Sequence, residues 1–296
     1  MINDENKREL VCVYSLPRSG STAFLAELDK WKGVICLPES YFPQILEYLS
    51  EEELNNPRTL AAYFLSSSPS GSLLSFEEAM QCMEPKDLRK TLINIGLSCA
   101  QKLGRSISDV KIIVWKTTRI IGRWELFSKC GGRFIVLRRN KYNIFESQFR
   151  VSFGVHNRNP FRFALFHESY EAVFQRLPEQ QRFSAFYEDI PSLAKQLGSW
   201  LRVSGERRSD GLSSLASTHG KQEWHDGLLS DFNSMDEEKV KKVSEVQKIS
   251  IELGCFVGRQ FHWLLARFRD RYDFLIFKQV RHEALTGRTL SVEDTF

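Results

Sequence analysis

Val11-Cys-Val-Tyr-Ser-Leu-Pro-Arg-Ser-Gly-Ser-Thr-Ala-Phe-Leu25 decides how this chain folds. An apolar run ends at Pro17, passes through Arg18-Ser19-Gly20-Ser21-Thr22, and resumes with helical spacing at Phe24, Leu25 and Leu28. The pattern predicts a strand, a tight turn and a helix start, with small residues where backbone must approach a ligand closely. Unpaired amides at a helix N-terminus carry partial positive charge and attract a phosphate. Arg18 adds a fork of donors, and Ser19, Ser21 and Thr22 add hydroxyls. A nucleotide-hydrolase loop of the form G-x-x-x-x-G-K-[ST] would need a lysine for the outer phosphates. Ser15 stands in place of its first glycine and Ser21 in place of its lysine, which weakens a kinase or NTPase reading.

Outward from this turn, short β-branched runs recur at 10–15, 34–37, 111–116, 133–137 and 182–187. Helical patterns lie between them at 21–31, 54–65, 85–103, 123–129, 140–153 and 190–203, with two more at 237–253 and 255–268, separated by Gly254. Strands that alternate with helices imply crossover connections and a parallel sheet covered on both faces, the α/β class. The serine-rich stretches 66–75 and 205–220 read as loops, and the charged C-terminal tail shows no clear period. We expect a single domain over 1–296, with a helical, loop-rich insertion at about 43–109 and a helical C-terminal region at about 235–296.

The 296 residues can bury an ample core, and 42% hydrophobic with 26% charged residues is ordinary for a globular protein. A net charge of +4 is too small to argue for a nucleic-acid partner. Cys12, Cys36, Cys82, Cys99, Cys130 and Cys255 are scattered without a C-x-x-C pair, so they read as reduced interior residues rather than a disulfide frame or a zinc site. The polar N-terminus runs directly into the first strand, and no apolar stretch approaches the roughly 18 residues of a membrane span. The expectation is a cytoplasmic protein with no membrane partner.

A second constellation is Arg133-Phe-Ile-Val-Leu-Arg-Arg139, followed at once by the helix pattern that carries Ser147. A strand-end guanidinium and a hydroxyl two turns into the next helix can share one phosphate. On their own, Arg138 and Arg139 equally suit a solvated strand end.

Taken together, the motifs resemble the PAPS-dependent sulfotransferases, which move a sulfonyl group from 3′-phosphoadenosine 5′-phosphosulfate. Pro17-Arg18-Ser19-Gly20-Ser21-Thr22 is similar to the 5′-phosphosulfate loop in the form common among bacterial members, and Arg139 with Ser147 to the 3′-phosphate pair. Phe186-Tyr187-Glu188-Asp189-Ile190 resembles the segment whose tyrosine lies near the adenine, and Lys116-Thr117-Thr118 the strand end bearing the catalytic lysine. The likeness runs from about Val11 to Val203 and fades beyond. It implies a P-loop NTPase-like three-layer α/β/α sandwich around a parallel sheet of about five strands. It also implies PAPS as donor, PAP as product, and a small-molecule acceptor, with Lys116 and Arg18 offsetting charge on the leaving oxygen and no metal required.

The chain departs from that pattern at Thr118, where many cytosolic members carry a histidine. The general base must come from elsewhere. Glu39, in Pro38-Glu39-Ser40-Tyr41-Phe42, follows the second predicted strand and therefore stands at the same sheet edge as the cradle. Carbohydrate-directed relatives use a glutamate in a similar Glu-x-x-Phe context. We assign Glu39 the base role; the plainer alternative is a helix N-terminal carboxylate offsetting a dipole. Downstream, Thr218, His219 and Gly220 stand where the family closes a loop over the cofactor, but the expected arginine is missing. The expected acceptor is a hydroxyl or amine of a metabolite, natural product or sugar. A nucleotide or small-molecule kinase and a non-catalytic nucleotide-binding relative remain as alternatives.

Overall fold

The computed structural model describes residues 8–68, 72–150, 158–204, 206–207 and 236–287. Five strands form one all-parallel sheet: β1 (Glu9–Ser15), β2 (Val34–Cys36), β3 (Ile112–Thr117), β4 (Gly132–Arg138) and β5 (Arg182–Phe186), in the order β2-β3-β1-β4-β5. Strand β1 is central. It pairs with β3, Val13 opposite Lys116, and with β4, Ser15 opposite Leu137. Because the chain passes to one side of β1 for β2 and β3 and to the other for β4 and β5, the strand order reverses at the carboxyl end of β1. Open α/β sheets bind ligands at such a switch point.

Thirteen α-helices are described: α1 (Ser21–Asp29), α2 (Phe42–Ile45), α3 (Glu51–Leu54), α4 (Pro57–Ser66), α5 (Phe76–Cys82), α6 (Leu88–Lys102), α7 (Glu125–Lys129), α8 (Lys141–Arg150), α9 (Pro160–Arg176), α10 (Ile190–Leu201), α11 (Asp236–Lys242), α12 (Glu245–Gln260) and α13 (His262–Thr286). Their starts are locally encoded. Ser50, Ser75 and Ser244 each form a reciprocal capping box with the residue three positions on, and Asn56 and Asn159 cap helices whose first residue is proline. No helix among the described residues is long and apolar enough to cross a membrane.

The alternation of β1 divides the core in two. Leu10, Cys12 and Tyr14 face α4, α6, α9 and the C-terminal helices, whereas Val11 and Val13 face Phe24, Leu25 and Leu28 of α1 and Leu197 and Leu201 of α10. These are the two helical layers of an α/β/α sandwich. Each such fully buried side chain stabilises the fold by about 1.5–3 kcal/mol. Trp31 packs in the second of these layers. All six cysteines are free thiols, and all but Cys130 are buried.

Three elements differ from the sequence pattern. Helix α9 falls outside the helical patterns given above, yet it runs for 17 residues and buries Phe163, Tyr170 and Phe174. Helix α12 continues through Gly254 and ends at Phe261 instead. The glycine there is a packing device: a Cβ would lie 2.6 Å from Ala164 Cβ and 2.9 Å from the Phe161 carbonyl oxygen, so the two helices touch backbone to backbone. Helix α13 takes in the C-terminal residues as far as Thr286, and its buried positions Ala266, Arg269, Asp273, Ile276, Phe277 and Val280 follow a helical period obscured by its polar members.

Candidate active site

Leu16 to Gly20 form the turn between β1 and α1, closed by the Ser19 amide donating to the Leu16 carbonyl at 3.2 Å. Arg18 and Gly20 both have positive φ, 72° and 84°. For a side chain this costs about 1–2 kcal/mol, and strain of this kind gathers at functional turns. Gly20 is also shape-determined, because a Cβ would sit 2.1 Å from a ring carbon of Tyr187. Helix α1 has no side-chain cap, so its first amides face the turn without a protein carboxylate or hydroxyl on them. The hydroxyls of Ser15 and Ser19 are buried without a hydrogen-bond partner. Orphaned donors behind an uncapped helix N-terminus suit an oxyanion.

Cations converge on this turn from three strands. Lys116, at the end of β3 and 4% exposed, donates to Thr22 Oγ1 at 3.1 Å and pairs with Glu39 Oε2 at 3.3 Å. The Thr118 hydroxyl donates to the other Glu39 oxygen. Arg139, following β4, donates to the Arg18 carbonyl at 3.2 Å, and its guanidinium lies 4.3 Å from the centre of the Tyr187 ring. Arg18 Nε donates to Ser147 Oγ at 3.2 Å, and Gln148 Nε2 to the Pro17 carbonyl at 3.0 Å, so α8 holds both ends of the turn. Burial, then the charge of Arg139, pushes Arg18 below its ordinary pKa. Two guanidiniums crowded in this way favour an anion between or beside them.

Burial raises the Glu39 carboxyl, but the Lys116 ammonium, the Thr118 hydroxyl and the Arg119 charge outweigh it and leave the pKa below the usual range. Glu39 is therefore ionised at neutral pH. The buried Tyr41 phenol, pushed up by its burial and then by the Glu39 charge, lies beside it.

The structure brings Pro17, Arg18, Ser19, Gly20, Ser21, Thr22, Glu39, Lys116, Arg139, Ser147 and Tyr187 to one sheet edge. Thr218, His219 and Gly220 lie outside the described residues. Glu39 is not a helix-capping carboxylate: α2 starts at Phe42, and Glu39 bonds to Lys116 and Thr118 instead. Of the phenylalanines near the site, Phe163 is fully buried and Phe149 is 48% exposed. Thr118 was noted only for the histidine it replaces. The signal for its true partner was position: Thr117-Thr118-Arg119 continues β3 at the sheet edge where Glu39 follows β2.

The loop after β3 is held from a distance. Asp273 of α13 accepts from the amides of Ile121 at 2.9 Å and Gly122 at 2.6 Å, and Tyr170 of α9 donates to the Thr118 carbonyl at 2.7 Å. Asp273 pairs with Arg269 at 2.8 Å, and that guanidinium stacks 4.3 Å from the Tyr170 ring. Burial pushes Asp273 up to about 6 despite Arg269. Nothing local in the sequence marks this support.

Fold and site together define an α/β protein with an all-parallel sheet, a turn of orphaned donors at its switch point and a lysine–carboxylate pair beside it. No family model matches the chain, and no curated protein matches it. Among solved structures it is similar to the sulfotransferase domain of the Synechococcus PCC 7002 olefin synthase, at 17% identity over 84% of this chain and 94% of that one, with a TM-score of 0.42. It is similar also to the sulfotransferase domain from the curacin biosynthetic pathway, at 18% identity over 83% and 97% of the two chains, TM-score 0.40. A third likeness is to retinol dehydratase in complex with androsterone and the inactive cofactor PAP, at 15% identity over 86% and 83%, TM-score 0.35. At these identities and scores activity does not transfer, and the functional reading rests on the residues of the site.

Proposed function

We propose that the chain is a sulfotransferase that moves the sulfonyl group of PAPS to a hydroxyl or amine of a small metabolite, natural product or sugar. One observation carries this reading: Lys116 bridges the cradle, through Thr22, to an ionised Glu39 at the same sheet edge. A cation that can neutralise a leaving phosphate oxygen thereby sits next to a carboxylate that can accept a proton.

The residues fit the donor. The α1 amides with Ser19, Ser21 and Thr22 suit the 5′-phosphosulfate, with Arg18 beside them. Arg139 and Ser147 suit the 3′-phosphate, and Tyr187, stacked on Arg139, suits an aromatic base nearby. Donor binding would exchange the Arg18–Ser147 hydrogen bond for bonds to phosphate oxygens.

Glu39 takes the proton of the acceptor as its oxygen or nitrogen attacks sulfur. The bond from sulfur to the phosphate oxygen breaks, and its electron pair stays on PAP. Lys116 and Arg18 offset the charge that develops there. The Lys116–Glu39 pair couples these events. As the ammonium turns toward the leaving oxygen, its hold on Glu39 loosens, and the carboxylate becomes a better base while the proton must move.

Labelled sulfonyl transfer from PAPS into an acceptor library tests the activity. Glu39→Gln is expected to lower turnover roughly 10²–10⁴-fold with PAP affinity retained; a loss below threefold would reject the base assignment. Calorimetric preference for ATP over PAP would overturn the donor and favour a nucleotide kinase.

A further inference from the structure

On the helical wall of a cavity that Leu16 and Arg139 also line, where α9 meets α12 and the start of α13, four side chains of metal-ligand type converge. His167 and Glu168 are consecutive on α9, Cys255 is on α12, and His262 opens α13. One ligand atom from each of His167, Glu168 and Cys255 lies within 4.8 Å of the others. Glu168 Oε1 is 3.5 Å from His167 Nδ1, and Glu168 Oε2 is 3.0 Å from His262 Nε2. Bonds of about 2.0–2.3 Å in a tetrahedron place ligand atoms roughly 3.3–3.8 Å apart, so the three contract modestly onto one ion, and His262, in contact with Glu168 alone, must swing in to become the fourth.

Two details leave room for a cation among these groups. His167 Nδ1 is buried, and Glu168 Oε1 at 3.5 Å is too distant for a good hydrogen bond. His262 Nδ1 faces the side-chain oxygen of Gln175 at 3.2 Å, an acceptor that requires the proton on Nδ1. The Nε2 lone pair then points at the Glu168 carboxylate, a contact satisfied either by a second proton, as an imidazolium–carboxylate pair, or by a metal ion between them. A ring nitrogen fixed by an amide oxygen, with its other nitrogen toward a carboxylate, is the usual setting of a metal-bound histidine. Glu168 is 4% exposed and Cys255 1%, while the two histidines open onto a cavity of about 420 Å³ that gives an ion access.

We propose that His167, Glu168, Cys255 and His262 form a tetrahedral zinc site that clasps the C-terminal helices to α9. Two imidazoles, a carboxylate and a thiolate suit zinc over harder cations, and four protein ligands make a closed, structural site. Cys255, whose thiol burial pushes up to about 12, would release its proton to solvent as the metal binds. The scattered cysteines gave no hint of this, because the ligands come from α9 and from helices far along the chain.

The test uses the whole chain, stripped with a chelator and titrated with Zn²⁺ and with Co²⁺. One equivalent is expected to survive gel filtration, and Co²⁺ is expected to give a thiolate charge-transfer band that Cys255→Ser removes and Cys130→Ser leaves intact. Gln175→Leu, which keeps all four ligands, is expected to weaken Zn²⁺ roughly 10–100-fold. Failure to retain metal, or a cobalt spectrum without the thiolate band, would overturn the proposal. Both readouts come from the unmutated chain, so a misfolded variant does not leave the question undecided. A band that persists in Cys255→Ser would equally refute it.

Discussion

Replacing Gly20 by alanine tests whether the cradle and Tyr187 are one mechanical unit. The substitution places a side chain at φ 84°, which costs about 1–2 kcal/mol. Its Cβ would also stand 2.1 Å and 2.3 Å from two ring carbons of Tyr187, where contact distances of about 3.5–4.0 Å are needed. The ring must move by more than about 1 Å, and its stacking on Arg139, worth roughly 0.5–2 kcal/mol, is lost. The total is about 1.5–4 kcal/mol by urea denaturation, together with weakened PAP binding by calorimetry. Gly104→Ala is the control, because Gly104 has φ 72° but no atom within 4 Å of an added Cβ. It should show the backbone strain alone, with PAP binding untouched. Adding Tyr187→Leu to Gly20→Ala should return part of the stability difference between the two alanine variants, as coupled neighbours do. Equal destabilisation by Gly20→Ala and Gly104→Ala, with PAP affinity unchanged in both, would refute the argument.

Two further outcomes follow from the site's supports. The proposed base, Glu39, is held below its ordinary range, so the acid limb of the rate profile should lie below pH 4.5, with activity present above the limb and lost as pH falls through it. Thr118→Ala removes one of the bonds that lower this pKa and should move the limb upward; an unmoved limb would exclude Glu39 as the group titrating there. Asp273→Ala leaves the buried Arg269 charge and the Ile121 and Gly122 amides uncompensated, and should cost about 3–5 kcal/mol. A loss under about 1 kcal/mol would show that the loop after β3 needs no anchor from α13.

What the chain reveals in one dimension is what its contacts keep local. Strands β1, β3 and β4 fall where apolar runs predict them, because they are buried on both faces and read as nearly unbroken apolar segments, whereas the edge strand β5, Arg182–Phe186, is largely half-buried or exposed. The cradle residues were legible for a similar reason: turn, small residues and helix start lie together between Leu16 and Thr22. Glu39 and Lys116 were found separately, but their contact was not, because it depends on β2 and β3 being neighbours. Asp273, Arg269 and Tyr170 were invisible as site supports. Their partners belong to the loop after β3, and a buried charged residue within a polar-looking helix carries no mark of where it points. Gly254 misled because a helix interior glycine and a helix break look alike until the neighbouring helix is known.

The order β2-β3-β1-β4-β5 also constrains how the protein can be made. The middle strand precedes both of its neighbours in the chain: Leu10 must wait for Ile113 on one edge and for Gly132 on the other. Until those segments have been synthesised, Leu-Val-Cys-Val-Tyr carries bare amides and carbonyls along both sides, in a sequence well suited to pairing with the wrong partner. Biogenesis of this sheet is thus a long-range affair, slow by topology and most exposed to aggregation while the helices between β2 and β3 are being threaded out.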